Sequence, residues 1–424
     1  MRRLCFASLG LAAVGLAALG LLSLGARADE IGIPLGVGGL RTGEPARVET
    51  AAAETTIAAA PSPTADLVRP ERDYWVYVCS ESEDEVSLVR FGPSGVFVEK
   101  TIPVGSFPAD IEGPHGIAVA PNGRYWYVSI SHGQPFGTIH KFRTGTDEWE
   151  GDVRVGMFPA TLDVSGTTGL LYVVNADFYG DHEPSTISVI ETSTMTEVAQ
   201  IPTGAMPHGA RMSRDGRFFY SVNMMDDDLV EVDALRFEVR RRLKLRLDDA
   251  PEHDPHAHHS SGEVAQPVSL TERHHSAMRI EPAWVTAPTA SGKVWVTGLS
   301  GNTLFEVDLA SFEVVRRFAD TWNGPYNADV TPDESLLVVT YKRGDAVGFW
   351  DLASGKEVAR IPTTRRVPHG VLITPDGRYS FVTVEGVGGE PGVVEIYDNA
   401  ARRRVDTIEV GKQAGGIALW ERWR

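Results

Sequence analysis

The sequence predicts an all-β fold, a seven-bladed β-propeller made of four-stranded blades. Three observations predict it. The phrase Pro-His-Gly, followed by an apolar strand, a turn containing Gly and a second apolar strand, occurs at Pro114, Pro207 and Pro368. Similar starts recur about every 45 residues, and short strands repeating at such a period are typical of propellers. Each repeat has room for four strands, the content of one propeller blade.

The first 28 residues have the features of a signal peptide. Two arginines precede an apolar run over residues 4–24, and Ala26-Arg27-Ala28 is a small-residue cleavage site. We therefore expect a periplasmic or secreted protein with no stable membrane span after cleavage of 1–28. The alternative is a retained anchor, because the apolar run is near the length that spans a bilayer.

Composition excludes some classes of partner. Cleavage would remove three arginines and no acidic residue, which takes the net charge from −17 to −20. Nucleic acid repels so acidic a chain, and no nucleic-acid partner is expected. Cys79 is the one cysteine left after cleavage, so no intrachain disulfide is expected, and we interpret it as a small buried residue rather than a ligand.

Residues 29–73 are interpreted as a disordered linker. They are rich in Ala, Pro and Thr and contain few large apolar residues, so burial cannot offset the entropy of ordering them. The propeller is predicted over 74–424. It is interrupted by a histidine-rich insertion at 246–278, which lengthens one repeat.

The two ends of the propeller are predicted to share one blade. Strand order in a repeat is a, b, c, d from the axis outward, and the repeats begin at Pro114, Pro159, Pro207, Pro282, Pro325, Pro368 and Gln413. The first unit starts directly at strand b with Tyr74, whereas the last is a lone strand a. The C-terminal strand is therefore expected to complete the N-terminal blade and close the ring, which protects the sheet edges.

These units resemble the YVTN-type β-propeller repeat. An aromatic residue and Val precede strand c, as in Tyr172-Val173, and Ile102-Pro103-Val104-Gly105 ends a blade. The resemblance covers Tyr74 to Arg424 and implies the fold. It does not imply one function, because such proteins include surface proteins, binding proteins and propellers of redox enzymes. At the level of fold, the sequence is also similar to the propellers of nitrous-oxide reductase and haem-binding nitrite reductase.

Histidines are concentrated on one predicted face of the propeller. The d-to-a and b-to-c connections share a face, and eleven of the twelve histidines fall there; the exception is His140 in a strand c. His115, His208 and His369 should stand around one mouth of the central channel. The corresponding positions of the other blades are Ala160, Ala283, Tyr326 and Ala414. The remaining histidines of this face are His132, His182, His253, His256, His258, His259, His274 and His275.

These histidines have two interpretations. Imidazole is a common ligand of copper, zinc and iron, and three rim histidines would give a three-nitrogen metal or haem site with an open position. The insertion would then be a labile metal-binding tract. Alternatively, the rim histidines bond to loop backbone and the insertion is a solvated polar loop. The acidic runs 81–85 and 226–228 are likewise interpreted as solvated turns or as calcium ligands.

Three functions follow from this pattern. The leading hypothesis is an exported binding or interaction protein that takes an unknown protein or small molecule on its histidine-bearing face. The second is a metal- or haem-dependent redox protein or assembly factor that uses His115, His208 and His369. The third is a lactonase-type hydrolase. No catalytic residue is assigned, because the sequence contains no Gly-x-Ser-x-Gly turn and no His-Glu-x-x-His helix.

Overall fold

The computed structural model describes residues 69–107, 109–179, 183–247 and 279–421. These ranges fold into seven four-stranded antiparallel sheets in a ring, which confirms the predicted seven-bladed propeller. The predicted signal peptide 1–28 and most of the linker and of the insertion lie outside the described residues. None of the described residues forms a helix long and apolar enough to cross a membrane.

The strands follow the predicted repeat order. Blade 1 contains β1 (Tyr74–Ser80), β2 (Glu85–Gly92) and β3 (Gly95–Pro103). Blade 2 contains β4 (Pro114–Val119), β5 (Tyr125–Ile130), β6 (Thr138–Arg143) and β7 (Trp149–Arg154). Blade 3 contains β8 (Pro159–Val164), β9 (Leu170–Asn175), β10 (Pro184–Glu191) and β11 (Thr196–Ala205). Blade 4 contains β12 (Pro207–Met212), β13 (Phe218–Asn223), β14 (Asp228–Asp233) and β15 (Glu238–Lys244).

The remaining blades repeat the pattern and close the ring. Blade 5 contains β16 (Pro282–Val285), β17 (Lys293–Gly298), β18 (Thr303–Asp308) and β19 (Glu313–Phe318). Blade 6 contains β20 (Pro325–Val330), β21 (Leu336–Tyr341), β22 (Ala346–Asp351) and β23 (Lys356–Pro362). Blade 7 contains β24 (Pro368–Ile373), β25 (Tyr379–Val384), β26 (Val393–Asp398) and β27 (Arg403–Glu409). The last strand, β28 (Ala414–Trp420), pairs with β1 as the inner strand of blade 1, as predicted.

Aromatic side chains pack the blades against one another. Between blades 1 and 2, the fully buried Trp126 stacks on Tyr77 with ring centroids 4.9 Å apart and on Phe142 at 4.2 Å. The Tyr77 hydroxyl and the Trp126 indole N–H both donate to the Asp147 carboxylate, at 2.8 and 3.0 Å. The polar ends of the two rings are therefore satisfied, and their apolar area stabilises the interface between the blades.

The described chain begins before the first strand. Arg72, inside the predicted linker, forms an ion pair of 2.8 Å with Asp376 of blade 7. Asp376 also accepts a hydrogen bond from the Tyr74 hydroxyl. The last residues before β1 are thus attached to the blade that precedes blade 1 around the ring.

Candidate functional site

A repeated backbone junction places side chains around the axis. In every blade the residue before strand a has a left-handed φ, and its carbonyl accepts a hydrogen bond from the N–H of the residue that follows strand b. In blade 2, Gly113 has φ 67° and its carbonyl is 2.9 Å from the Ser131 nitrogen. The junction brings the residue after strand b beside the start of strand a. The residues after strand b are Glu81, Ser131, Ala176, Met224, Leu299, Lys342 and Glu385.

The closing strand corrects one predicted correspondence. Gln413 has φ 56° and its carbonyl accepts the Glu81 N–H, so Gln413 matches the residue before the proline in the other blades. The position of the rim histidines is therefore taken by Gly415, and the prediction of Ala414 was wrong by one residue. The last repeat lacks the proline that marks the start of strand a in the other blades, so the sequence contains no marker for aligning this strand with them.

The structure brings His115, His208 and His369 together at the axis. All three are buried, and the ring centroid of His115 lies 5.9 Å from that of His208 and 5.6 Å from that of His369. Tyr326, at the same position of blade 6, completes the group. Its hydroxyl oxygen lies 3.2 Å from His208 Nε2 and 3.1 Å from His369 Nε2.

The hydrogen bonds of this group fix where its protons are. His208 Nδ1–H donates to the Ala283 carbonyl at 2.9 Å, and burial, together with the nearby His115, lowers the pKa of His208 to about 3. His208 is therefore neutral, and its Nε2 accepts the one proton of the Tyr326 hydroxyl. Tyr326 must then accept from His369 Nε2–H. Burial, with Lys342 nearby, also lowers the pKa of His369, which is neutral as well.

This proton arrangement leaves one buried acceptor without a partner. Because His369 carries its proton on Nε2, its Nδ1 has only a lone pair. That Nδ1 is buried and has no hydrogen-bond partner within the described ranges. The Asn327 side-chain oxygen nearby is also buried and unpartnered there. Both residues line a chamber of about 30 Å³ farther along the channel, which has room for a water molecule.

Glu81 joins two further histidines to the site. Its carboxylate accepts hydrogen bonds from His115 Nδ1 at 3.3 Å, from His132 Nε2 at 2.8 Å and from the Gln413 amide at 2.9 Å. Burial by itself raises the pKa of Glu81, but the two histidines outweigh burial and the pKa lies well below its usual range. The bond to Glu81 raises the pKa of His132. His132 is thus linked to the group at the axis through Glu81, which bonds both His132 and His115.

A second ion pair lies on the same wall. The Lys342 ammonium is 2.8 Å from the Glu385 carboxylate and 4.3 Å from the centroid of the Tyr326 ring. Burial lowers the pKa of Lys342, but Tyr326 and Glu385 together raise it by more, so the ammonium stays protonated at neutral pH. Burial raises the pKa of Tyr326 to about 12, so its hydroxyl is neutral.

These residues enclose a cavity of about 270 Å³ at the mouth of the channel. Its lining divides into two kinds of wall. The apolar residues are Phe158, Phe178, Met224 and Leu299. The polar residues are Glu81, His115, His208, Tyr326, Lys342, His369, Glu385 and Gln413. The cavity, called the axial pocket below, therefore has an apolar wall from blades 3 to 5 and a polar wall from blades 6, 7, 1 and 2, with His208 of blade 4 at its floor.

A metal or haem role for these histidines stays a prediction. In the part of the chain that the structure describes, no group of three or more His, Cys, Asp and Glu side chains is arranged to hold a metal ion. Two of the three rim imidazoles use their Nε2 in hydrogen bonds to Tyr326. Seven predicted ligands lie outside the described residues: His182, His253, His256, His258, His259, His274 and His275.

The acidic runs have a structural role where they are described. The Asp84 carboxylate accepts the backbone N–H groups of Glu112 and Gly113 at 2.9 and 2.8 Å. Asp227 accepts the Glu281 N–H at 2.8 Å in the same way. These carboxylates hold the junctions that carry the site. Cys79 is buried, and burial raises the pKa of its thiol.

Sequence reasoning missed Glu81, Lys342 and Glu385 as members of the site. A signal for them exists, because all three occupy the first position after strand b. Aligning that position across the repeats would have placed three charged residues on the histidine-bearing face.

Comparison with known proteins supports the fold. No protein-family model and no curated protein matches the chain. Among solved structures, it is similar to a chain of Kuenenia stuttgartiensis hydrazine synthase, with a TM-score of 0.54 and 15% identity over 82% of this chain and 97% of that chain. At this identity the likeness shows the propeller fold alone. The resemblance to the YVTN-type repeat stays a prediction.

Proposed function

We propose that this chain is an exported β-propeller that binds a small amphipathic organic molecule in the axial pocket. The observation that carries the proposal is the division of the pocket into an apolar wall and a polar wall. Binding sites for small molecules are concave and mostly apolar, with a few placed polar groups that fix orientation. The volume of about 270 Å³ is near the lower end of the usual range for such sites, so the ligand is small.

The charges of the polar wall narrow the chemistry of the ligand. Lys342 is already paired with Glu385, and Glu81 already accepts three hydrogen bonds. A charged ligand would have to break one of these buried pairs, which is costly. A neutral polar group, such as a hydroxyl, carbonyl or ester, can instead use the spare N–H of Lys342 and the free Nε2 of His115. We therefore expect a neutral head on an alkyl or aryl body.

A fragment screen tests this function. Neutral fragments (phenols, benzyl alcohols, small esters and lactones) are presented to the purified full chain and binding is detected by ligand-observed NMR. Leu299→Trp should fill the apolar wall and abolish binding. Val315→Trp, on an exposed strand with the side chain 48% exposed, is the matched control and should bind as the native chain does. If no fragment binds, or if Leu299→Trp binds them equally well, the proposal fails.

The export part of the proposal has a separate test. The apolar run and the cleavage site at 26–28 predict a mature chain that starts at Asp29. N-terminal sequencing of protein from the periplasm or the medium should find that residue. Full-length protein retained in the cytoplasm or the membrane would contradict export without affecting the pocket.

A further inference from the structure

We propose that Glu81 and His115 form a general base that lets the axial pocket hydrolyse a small ester or lactone. This proposal rests on the proposed function, because the same pocket would hold the substrate. It adds a reaction to what would otherwise be a binding site. The carrying observation is that His115, which lines the cavity, has its Nδ1 held by a buried carboxylate, while its Nε2 has no hydrogen-bond partner among the described residues.

His115 is oriented by Glu81, which is itself held in place by several contacts. Glu81 is 6% exposed, and its carboxylate is fixed by the Gln413 amide and by His132 as well as by His115. An ionised carboxylate only accepts hydrogen bonds, so His115 Nδ1 carries the proton. In the uncharged form of an imidazole with its proton on Nδ1, Nε2 holds the lone pair. His115 Nε2 has no hydrogen-bond partner in the ranges that the structure describes, and His115 lines the axial pocket.

The other two rim histidines do not have this property. His208 Nε2 and His369 Nε2 are both bonded to Tyr326. Neither can accept a proton from a molecule in the axial pocket through that nitrogen. Of the three imidazoles, His115 is the one with a ring nitrogen bonded to a carboxylate at hydrogen-bond distance, and that carboxylate stabilises the imidazolium when it forms.

The reaction balances with water as the one co-reactant. His115 Nε2 takes a proton from a water molecule while the water oxygen bonds to the carbonyl carbon of the substrate. The carbonyl π pair moves to its oxygen, and the spare N–H of the Lys342 ammonium donates a hydrogen bond to that oxygen. When the C=O bond re-forms, the bond to the alkoxy oxygen breaks and the imidazolium returns its proton to that oxygen. An ester gives an acid and an alcohol, and a lactone gives one hydroxy acid.

The shape of the pocket suits this class of substrate. Esters and lactones are neutral, so they do not disturb the Lys342–Glu385 pair. Their alkyl or aryl part would lie against Phe158, Phe178 and Leu299. Free carboxylates carry charge, so the acid product should bind more weakly than the substrate, which favours its release.

Turnover of defined probes tests the proposal. The probes are p-nitrophenyl butyrate and phenyl acetate, followed by absorbance, and γ-butyrolactone and δ-valerolactone, followed in a pH-stat. The native full chain should hydrolyse at least one of them above the buffer rate. His115→Gln and Glu81→Gln should each lower kcat/KM by about 10²-fold or more, the usual share of a general base. His140→Asn, a buried histidine in β6 and outside the pocket, is the control and should stay within about twofold of the native rate.

Two readouts separate a chemical role from a structural one. His115→Gln should lose the activity of the native chain while keeping the native melting temperature. If His115→Gln does not fold, ¹⁵N NMR of the native chain decides instead. Protonated Nδ1 and unprotonated Nε2 on His115 support the base, and the reverse overturns it.

The outcomes distinguish this inference from the proposed function. Fragments that bind in the NMR screen together with no hydrolysis of any probe would overturn the base and leave the binding site standing. Hydrolysis that is equal in the native chain and in His115→Gln would also overturn it. Neither binding nor hydrolysis would overturn both proposals.

Discussion

Acidification from pH 7 to pH 5 is expected to destabilise the propeller through the buried His208. In the folded chain, burial holds the pKa of His208 near 3. In the unfolded chain a histidine has a pKa of about 6.5. Over this interval the unfolded state therefore gains about 0.7 of a proton at this side chain, while the folded state gains almost none. The contribution of His208 to stability is fully present above its unfolded pKa of about 6.5, and it is lost as the pH falls from that value toward the folded pKa near 3.

Proton linkage gives the size of the effect. Integrating the difference in bound protons between pH 7 and pH 5 gives a loss of about 2 kcal/mol from His208. His132 acts in the opposite direction. Its raised pKa contributes stability below the unfolded value, and that contribution is lost as the pH rises through the folded value. The net change in the native chain is therefore a sum, and the share of His208 has to be isolated by substitution.

Urea unfolding at the two pH values measures this share. The free energy of unfolding of the native chain should fall by about 2 kcal/mol more between pH 7 and pH 5 than that of His208→Gln. His132→Gln is the matched comparison, and its fall should be larger than the native one. Equal falls in the native chain and in His208→Gln would refute the neutral, buried histidine and the proton arrangement around Tyr326 that depends on it.

Three further predictions concern the blades and the insertion. Val367 is a β-branched residue at φ 67°, so Val367→Gly should raise the free energy of unfolding by about 1 kcal/mol, as measured by urea unfolding. Gly324 has a similar φ of 70° at the equivalent junction of blade 6, and Gly324→Val should lower the free energy of unfolding in the same assay. Arg404→Met removes the 3.3 Å cationic partner of the fully buried Glu395 carboxylate, which keeps its hydrogen bonds from Thr364 and Tyr397, and should cost about 3 kcal/mol in the same assay. A cost under about 1 kcal/mol would contradict a carboxylate that depends on this ion pair. Copper, zinc or iron that copurifies should be lost when residues 250–275 are deleted; metal retained after deletion would point to the rim histidines instead.

The fold could be predicted from the sequence because its signal is local and repeated. Each Pro marks a strand a, each Gly-containing turn separates two apolar strands, and the lone final strand requires closure with the first. The error at Ala414 came from the one repeat whose marker is a Gln. Where the local signal was missing, the pairing of β28 with β1 and the backbone bond from Glu81 to Gln413 show the register.

The site could be predicted only in part. The repeat placed His115, His208 and His369 at one mouth of the channel, because equivalent positions of the blades lie on the same face and at the same distance from the axis. It did not show that Tyr326 would bond two of them or that Glu81 would hold the third. Those contacts join residues from different blades, so they depend on the closed ring and on side-chain directions that a linear pattern does not contain.

The most direct test of the axial pocket as a ligand site is a crystal structure of the full chain with the tightest fragment from the NMR screen. The fragment should lie with its apolar part against Phe178 and Leu299 and its polar end toward Lys342 and His115. A fragment bound elsewhere on the propeller, with the axial pocket holding only water, would contradict this assignment.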